Sequence, residues 1–254
     1  METYTPGYSE IAANFMARRR LDPNGAFFIP YLIQGISVLD CGCGPGTITR
    51  DIAQRVAPGR VCGLDFNANQ IAVAARDAKV QGIVNVEFRQ GSVYALPFDD
   101  SSFDTVFSHA LLEHLKEPVK AMVELRRVLK PGGTVGLCTP DWGGFLLAPP
   151  SEKLLLAFEA YKQLQNRNGG DVYCGHRLSM YAAAAGFEVV AMRSRYENYD
   201  PLTVIGDFLA MNHEEAGDVK NAATWREWAR SPNGMFSQAW VSCVARKPSG
   251  RVKV

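Results

Sequence analysis

Apolar and polar positions along the chain alternate between short buried runs and stretches with helical spacing. Five runs have the length and apolar character of buried strands, near residues 36–40, 60–65, 84–89, 103–109 and 133–139. Amphipathic helices are predicted between them, near 46–56, 67–81 and 117–130. Two later apolar runs, 187–196 and 236–246, predict two further strands. Strands that alternate with helices in this way are typical of a parallel sheet covered by helices on both faces.

The most informative segment is the turn after the first predicted strand, residues 37–47, which reads SVLDCGCGPGT. The strand ends at Asp40, three alternate glycines follow, and a helical pattern begins at Ile48. Glycine lets the backbone approach a ligand without a Cβ in the way. The dinucleotide fingerprint G-x-G-x-x-G would require glycine where Thr47 stands. The acid at the mouth of the loop repels a phosphate, so the segment favours a ligand with an ammonium and a sulfonium group.

At these residues the chain resembles the class I S-adenosylmethionine (SAM)-dependent methyltransferases, whose first motif reads V-L-D-x-G-C-G-x-G. Four further segments match the family in order: VCGLD at 61–65, LPFDDSSFD at 96–104, LEHL at 112–115 and LKPGG at 129–133. The last three are most similar to the small-molecule group called methyltransferase type 11, which is ubiquinone/menaquinone-biosynthesis-like. Together the matches cover roughly residues 35–140.

The resemblance implies an α/β fold, namely a doubly wound, Rossmann-like sheet of seven strands. Its last strand would enter antiparallel between the fifth and the sixth. One methyltransferase domain is expected over residues 1–254, with a helical N-terminal cap at 1–34 and variable lid segments at 141–175 and 197–234. All three segments are expected above the carboxyl ends of the strands, where open α/β sheets bind ligands.

For the cofactor SAM, the resemblance implies a set of binding residues: Tyr8, Asp40, Gly42, Gly44, Gly46, Asp65, Phe66, Gln70, Gly91, Ser92, Val93 and His109. Asp40 and the three loop glycines would hold the methionine end. Asp65 would accept from both ribose hydroxyls, and Phe66 would lie against the adenine. Ser92 stands where the family often has an acid for the adenine amino group. Tyr8 belongs to an N-terminal Y-x-x-x-A segment that often closes over the cofactor.

A general base is needed only when the methyl acceptor must lose a proton. His109, at the end of the fourth strand, and His176, in a predicted lid, are the candidate bases, because histidine titrates near neutral pH. Glu113 is a weaker candidate, since a carboxylate is a poor base unless its pKa is raised. For His114 a structural hydrogen bond is at least as reasonable as catalysis.

Composition excludes several other classes. With 27 basic and 26 acidic residues the net charge is +1. The protein as a whole therefore lacks the positive potential that would attract nucleic acid or an anionic membrane. The run Arg18–Arg20 is interpreted as a solvated helix end. No apolar run is long enough to insert stably in a membrane, and the six cysteines lack ligand spacing, so no metal is expected. A reduced, cytoplasmic protein is predicted, and a homodimer stays open.

The leading hypothesis is therefore a small-molecule methyltransferase. Aromatic residues in the variable segments favour an apolar or aromatic acceptor, because ligand pockets are mostly apolar with a few directing groups. Whether oxygen, nitrogen or carbon is methylated is undetermined. Two alternatives are a non-catalytic SAM-binding partner subunit and an NAD-dependent oxidoreductase, the latter disfavoured by the loop spacing.

Overall fold

The computed structural model describes residues 3–250 and contains a seven-stranded sheet. Its strands are β1 (Val38–Cys41), β2 (Val61–Asp65), β3 (Val86–Gln90), β4 (Phe103–His109), β5 (Leu129–Ala148), β6 (Glu188–Asn198) and β7 (Met235–Arg246). They lie side by side in the order β3-β2-β1-β4-β5-β7-β6. The first five strands pair parallel, whereas β7 is antiparallel to both β5 and β6. The predicted doubly wound sheet with an antiparallel last strand is confirmed.

Nine α-helices are found among the described residues. They are α1 (Glu10–Ala17), α2 (Leu21–Asn24), α3 (Thr47–Val56), α4 (Ala68–Val80), α5 (Pro118–Val128), α6 (Glu152–Arg167), α7 (Cys174–Ala184), α8 (Thr203–Glu215) and α9 (Val219–Ala229). Two 3₁₀ helices occupy Ala26–Tyr31 and Leu112–His114. The three helices predicted between the early strands are confirmed as α3, α4 and α5. Asn67 caps α4 because its side-chain oxygen accepts from the backbone N–H groups of Asn69 and Gln70.

Three buried apolar clusters hold these layers together. One fills the space between the sheet and helices α5 and α7, and a second lies against α3 and the first 3₁₀ helix. The third joins α1, α6, α8 and α9 and contains Trp142, Phe158 and Trp225. This third cluster builds the cap that the sequence predicted, because its residues come from the N-terminal and variable segments.

The predicted boundary between the fifth strand and the first lid segment is wrong. β5 continues to Ala148 and pairs with β7 as far as Met235, with a shift of register between Asp141 and Phe145. Beyond the shift, Phe145 packs into the cap cluster while Leu146 is exposed, which is the alternation of a strand. Residues 141–148 are therefore sheet, and the helical part of this segment begins at α6.

The expectation that residues 1–34 lie above the strand ends holds for α1 but is wrong for the first 3₁₀ helix. Phe28, on that helix, is fully buried with Phe107 of β4. A Cβ at Gly136 of β5 would lie 2.4 Å from the Phe28 ring, so the ring rests directly on the backbone of the sheet. The second half of the segment therefore covers a face of the sheet rather than its edge.

All six cysteines are buried and free, as expected for a reduced protein. Among residues 3–250 there is no group of His, Cys, Asp or Glu side chains able to hold a metal ion. No helix in this range is long and apolar enough to cross a membrane. The sequence after Lys247 also predicts a loose tail, of which residues 251–254 lie outside the described residues.

Candidate active site

A cavity of about 440 Å³ opens at the carboxyl ends of β1, β2 and β4. This edge is where the strand order reverses, which is where open α/β sheets bind their ligands. All the residues predicted for the cofactor line the cavity except Gly46. The predicted residues are therefore brought together here, although other residues make up more than half of the wall of this cavity, which we call the main cavity.

The three glycines after β1 all have positive φ angles but serve different purposes. At Gly44 a Cβ would point into open space, with Met16 Sδ, at 4.0 Å, as its nearest neighbour. At Gly46 a Cβ would lie 2.7 Å from Ala74 Cβ and 2.8 Å from the Phe88 ring. Gly46 therefore allows α3 to pack closely against α4 and β3, and the cradle role predicted for it is wrong.

Asp65, at the end of β2, ties the glycine loop to the neighbouring strand. Its Oδ2 accepts from the backbone N–H of Gly44 at 2.9 Å, and its Oδ1 accepts from that of Asn67 at 2.9 Å. Burial raises the pKa of this carboxyl group, while the backbone donors oppose the rise. Each carboxylate oxygen has a further lone pair, so Asp65 can still accept from two hydroxyl groups.

Asp40 is the second acid of the main cavity and is only 2% exposed. Thr49 Oγ1 donates to its Oδ2 at 2.6 Å. Burial raises the pKa of Asp40 to about 7, although the Thr49 hydrogen bond lowers it. A buried carboxyl group without a cationic partner in the described chain is suited to a ligand that carries its own positive charge.

At the other end of the main cavity, polar and aromatic groups suit a nucleoside base. Phe66 is 72% exposed and lines the rim, which is unusual for so large an apolar side chain. Gln70 is buried, and its Oε1 has no hydrogen-bond partner among the described residues. Ser92 Oγ accepts from the backbone N–H of Tyr94 at 3.2 Å and keeps its own proton for a ligand.

His109 ends β4 and reaches the main cavity as predicted. Its ring is buried and stacks on Trp240 at a centroid distance of 4.8 Å. Neither ring nitrogen has a hydrogen-bond partner in the described part of the chain. Burial, helped by the charges of Arg19 and Arg195, holds its pKa well below the usual value. His109 is therefore neutral, and the same factors oppose its protonation.

His176 lies elsewhere, in the first turn of α7. Its Nδ1 is 2.6 Å from Asp141 Oδ2, its side chain is 67% exposed, and it does not line the main cavity. Asp141 is buried and also accepts from the backbone N–H groups of Gly143 and His176. The predicted role of His176 as a lid base is wrong, because this network holds α7 against the register shift of β5.

A narrower space of about 30 Å³ adjoins the main cavity, and the two share Tyr4, Met16, Arg19 and His114 in their walls. We call it the aromatic chamber. Its other walls are mainly aromatic rings from the cap and from β7: Phe15, Trp142, Tyr161, Tyr199, Phe208 and Trp240. A small space with mainly aromatic walls therefore lies next to the main cavity.

Glu113 lines the aromatic chamber and is 1% exposed. Thr139 Oγ1 donates to its Oε2 at 2.8 Å, and Gln165 Nε2 donates to its backbone carbonyl at 3.1 Å. Burial raises the pKa of Glu113 to about 7. His114 Nε2 is 3.5 Å from Glu113 Oε1, but burial lowers the pKa of His114 to about 3, so the contact involves a neutral imidazole.

Arg19 is the residue of this site that sequence reasoning missed. It was interpreted as part of a solvated run, yet it is half-buried, and its guanidinium lies 5.8 Å from the centroid of Phe15 and 5.4 Å from that of Trp240. A usable signal was its spacing from Ala12 and Met16, which has the period of one helix face. Both of these residues are buried, and Arg19, two residues beyond the end of α1, lies on the same side.

Comparisons with known proteins identify the family of the chain. The family model described as a methyltransferase domain matches residues 39–137. An uncharacterised methyltransferase of Schizosaccharomyces pombe is 39% identical over 191 residues, covering 72% of this chain and 68% of the relative. Demethylmenaquinone methyltransferase of Lactococcus lactis is 41% identical over 104 residues, which is 41% of each chain. The chain spans about half the length of two further curated relatives.

Among solved structures, phosphoethanolamine N-methyltransferase 2 of Haemonchus contortus, in complex with S-adenosylhomocysteine (SAH), has the same fold. The TM-score is 0.60 at 22% identity, over 89% of this chain and 52% of that one. Sheet order, site and relatives together define a class I methyltransferase. The chain belongs to the SAM-dependent methyltransferase family.

Proposed function

We propose that this protein binds SAM in the main cavity and transfers its methyl group to a small apolar or aromatic acceptor that enters the aromatic chamber. One observation carries the proposal: two carboxyl groups, the buried Asp40 and the half-buried Asp65, line the cavity at the ends of neighbouring strands, together with the open Gly44. The Lactococcus relative is named a demethylmenaquinone methyltransferase, which supports an apolar aromatic acceptor.

The residues present fit the cofactor. Asp40 suits the ammonium group, Asp65 the ribose hydroxyls and Phe66 the adenine face. Gln70 contributes a buried oxygen that lacks a partner in the described chain, which a donor on the nucleoside would satisfy. When bound, SAM supplies a methyl group on a positive sulfur, which an electron pair of the acceptor displaces in line. The protein contributes alignment of the acceptor and exclusion of water.

The test is calorimetric titration with SAM and with NAD, followed by a methyl-transfer assay with radiolabelled SAM on phenols, amines and quinones. Binding of SAM with transfer to an acceptor supports the proposal. Binding of NAD alone would instead support an oxidoreductase. Binding of SAM with no transfer to the whole panel would favour the non-catalytic SAM-binding subunit.

Asp65→Ala is expected to lower the affinity for SAM roughly tenfold or more. The variant removes two charge-assisted hydrogen bonds to the ribose, each worth about 1.5–3 kcal/mol, and releases the backbone N–H of Gly44. Calorimetry measures the affinity, and Asp99→Ala, at an exposed acid of a loop, is the control. Unchanged affinity in Asp65→Ala would rule out the ribose assignment.

Affinity for SAH is expected to rise with pH through about 7, since Asp40 must lose its proton to bind an ammonium group and its pKa is about 7. Below that pH the affinity should fall by up to about tenfold per pH unit. Calorimetry from pH 5.5 to 8.5 checks this. Asp40→Asn should bind weakly with a flatter profile, and an equally steep profile in that variant would assign the titration to another group.

Thermal stability without ligand is expected to follow the opposite trend. The folded-state pKa of Asp40 lies above its unfolded value, so its contribution is complete at low pH and is lost as the pH rises through about 7. Stability should therefore fall by up to about 1.4 kcal/mol per pH unit approaching that range. Denaturation scans of wild type and Asp40→Asn at several pH values measure how far the pH dependence of stability differs between them. The two proteins should show the same dependence between pH 5 and 7 if the pKa of Asp40 is not raised.

A further inference from the structure

Arg19 occupies the passage between the main cavity and the aromatic chamber and lines both. Its neighbours differ from it: Arg18 is exposed, and Arg20 forms an ion pair with Asp51 at 2.6 Å. Within residues 3–250 the guanidinium of Arg19 has no hydrogen bond and no ion pair, only its contacts with the faces of Phe15 and Trp240. It is a half-buried cation whose polar edges are available to a ligand.

The other titratable groups around it do not supply a fixed negative charge. Burial raises the pKa values of Tyr4, Tyr161 and Tyr199, so these phenols are neutral. Burial lowers the pKa values of His109 and His114, which are neutral as well. Glu113 is the acidic residue in the chamber wall, and burial raises its pKa to about 7 although the charge of Arg19 opposes the rise.

One further cation lies near the chamber. Arg195 is 5.9 Å from the ring centroid of Trp240, but Glu197 Oε2 accepts from its Nη2 at 2.9 Å. Arg195 is thus neutralised by its own carboxylate, whereas Arg19 has none. Arg19 is therefore a cation of this passage that has no carboxylate partner among the described residues.

Buried polar atoms without partners surround the same space. Gln165 Oε1 and Gln238 Nε2 belong to residues of the chamber wall, and both ring nitrogens of His109 belong to a residue of the main cavity; all are unpaired within the described chain. Tyr199 donates to Gln238 Oε1 at 3.1 Å, which fixes that amide with its free Nε2 on the chamber wall. Unpaired buried polar groups cost free energy unless a ligand satisfies them. An acceptor atom on a ligand would satisfy Gln238 Nε2, and a donor would satisfy Gln165 Oε1, so the chamber suits a ring that carries polar groups.

We propose that Arg19 binds a carboxylate carried by an aromatic methyl acceptor, whose ring lies in the aromatic chamber. The inference rests on the proposed function, since it concerns the acceptor of the same site. The other carboxylate that Arg19 could bind is that of the cofactor. The acceptor is favoured because Phe15 and Trp240, on which Arg19 stacks, line the chamber and not the main cavity. A guanidinium held by two aromatic faces still presents its N–H edge to a carboxylate.

The chamber is narrower than an aromatic ring, so a side chain of its wall must move when the acceptor enters. Met16 is suited to this because it is unbranched and belongs to both cavities. Its sulfur accepts from the hydroxyl of Tyr4 at 3.5 Å, a weak bond that is easily given up. Movement of Met16 joins the two spaces beside Arg19.

The experiment uses the SAH-bound protein and two probes of equal shape, benzoate and benzamide, titrated by quenching of tryptophan fluorescence. Wild type is expected to bind benzoate at least tenfold more tightly than benzamide. Arg19→Met keeps an apolar contact with the aromatic rings and should bring the ratio near one. Arg19→Lys should keep a smaller preference for benzoate. Arg18→Met, the matched control, should leave the ratio unchanged.

Equal binding of the two probes by wild type, or an unchanged ratio in Arg19→Met, overturns the proposal. A second arm compares SAH with 5′-methylthioadenosine, which lacks the amino-acid end. If Arg19→Met weakens only SAH and leaves the probe ratio intact, Arg19 serves the cofactor and the inference is wrong, while the proposed function stands. If wild type binds no SAH, the proposed function fails. The ratio of benzoate to benzamide affinity, measured without cofactor, then still shows whether Arg19 binds a carboxylate.

Discussion

Gly44→Val is expected to abolish measurable binding of SAM while the protein stays folded. Gly44 has a φ of +51° and its Cβ position opens into the main cavity, so a branched side chain would occupy the space of the methionine end. A β-branched residue at positive φ also strains the loop, by about 1–2 kcal/mol. Calorimetry with SAM and a thermal denaturation scan measure the two effects separately.

The chain offers a matched control for the strain. Gly82, between α4 and β3, has a φ of +67° and no atom within 4 Å of its Cβ position. Gly82→Val should therefore lose a similar amount of stability and bind SAM normally. If Gly44→Val binds SAM as wild type does, the loop is only a structural turn and the cofactor site lies elsewhere.

Gly46→Val provides a contrast within the same loop. Its side chain would collide with Ala74 and Phe88 rather than with a ligand. We expect a large loss of stability, because the backbone of α3 cannot move away from β3 without disturbing the core. Two similar glycines of one motif thus differ in what a side chain would meet, namely open cavity at Gly44 and packed neighbours at Gly46.

The core of the fold was predictable because its signals are local. Each of the first five strands is an apolar run bounded by turn residues, and Asp40 and Asp65 follow such runs directly. Parallel strands bring their carboxyl ends to one edge, so these two acids had to meet there. The resemblance supplied the antiparallel last strand, which the pattern alone does not distinguish from a parallel one.

The features that were missed depend on contacts between distant parts of the chain. The extension of β5 past Gly143 and Gly144 exists because β7, about a hundred residues later, pairs with it. Two adjacent glycines normally end a strand, so the sequence indicated a loop. His176 was interpreted as a lid base from its place before a predicted helix, whereas its contact with Asp141 holds it in an exposed position outside the main cavity.

Burial also reversed the order of the candidate bases. Sequence reasoning placed Glu113 behind the histidines because an ordinary carboxylate is too weakly basic. The structure buries Glu113 beside the aromatic chamber and raises its pKa to about 7, whereas burial lowers the pKa of His109. The sequence next to Glu113 and next to His109 does not indicate that either side chain is buried. The groups that bury Glu113 come from α1, β7 and the cap.

Glu113→Gln is therefore expected to lower turnover about 100-fold on an acceptor that must lose a proton, with the affinity for SAM nearly intact. Glutamine can still accept from Thr139, and the backbone carbonyl still accepts from Gln165, so the fold should be preserved. In wild type, turnover should rise with pH through about 7 as Glu113 loses its proton. The variant should lack this rise.

Steady-state kinetics of three glutamine variants on one acceptor separate the candidates. His176→Gln is the control and should retain full turnover, because its side chain lies outside both cavities. His109→Gln should have a smaller effect than Glu113→Gln, since burial and the nearby arginines oppose the protonated imidazole. A larger loss in His109→Gln, with Glu113→Gln active, would make the histidine the base. Full turnover in all three would mean that the acceptor is already nucleophilic and that alignment alone, with exclusion of water, produces the rate.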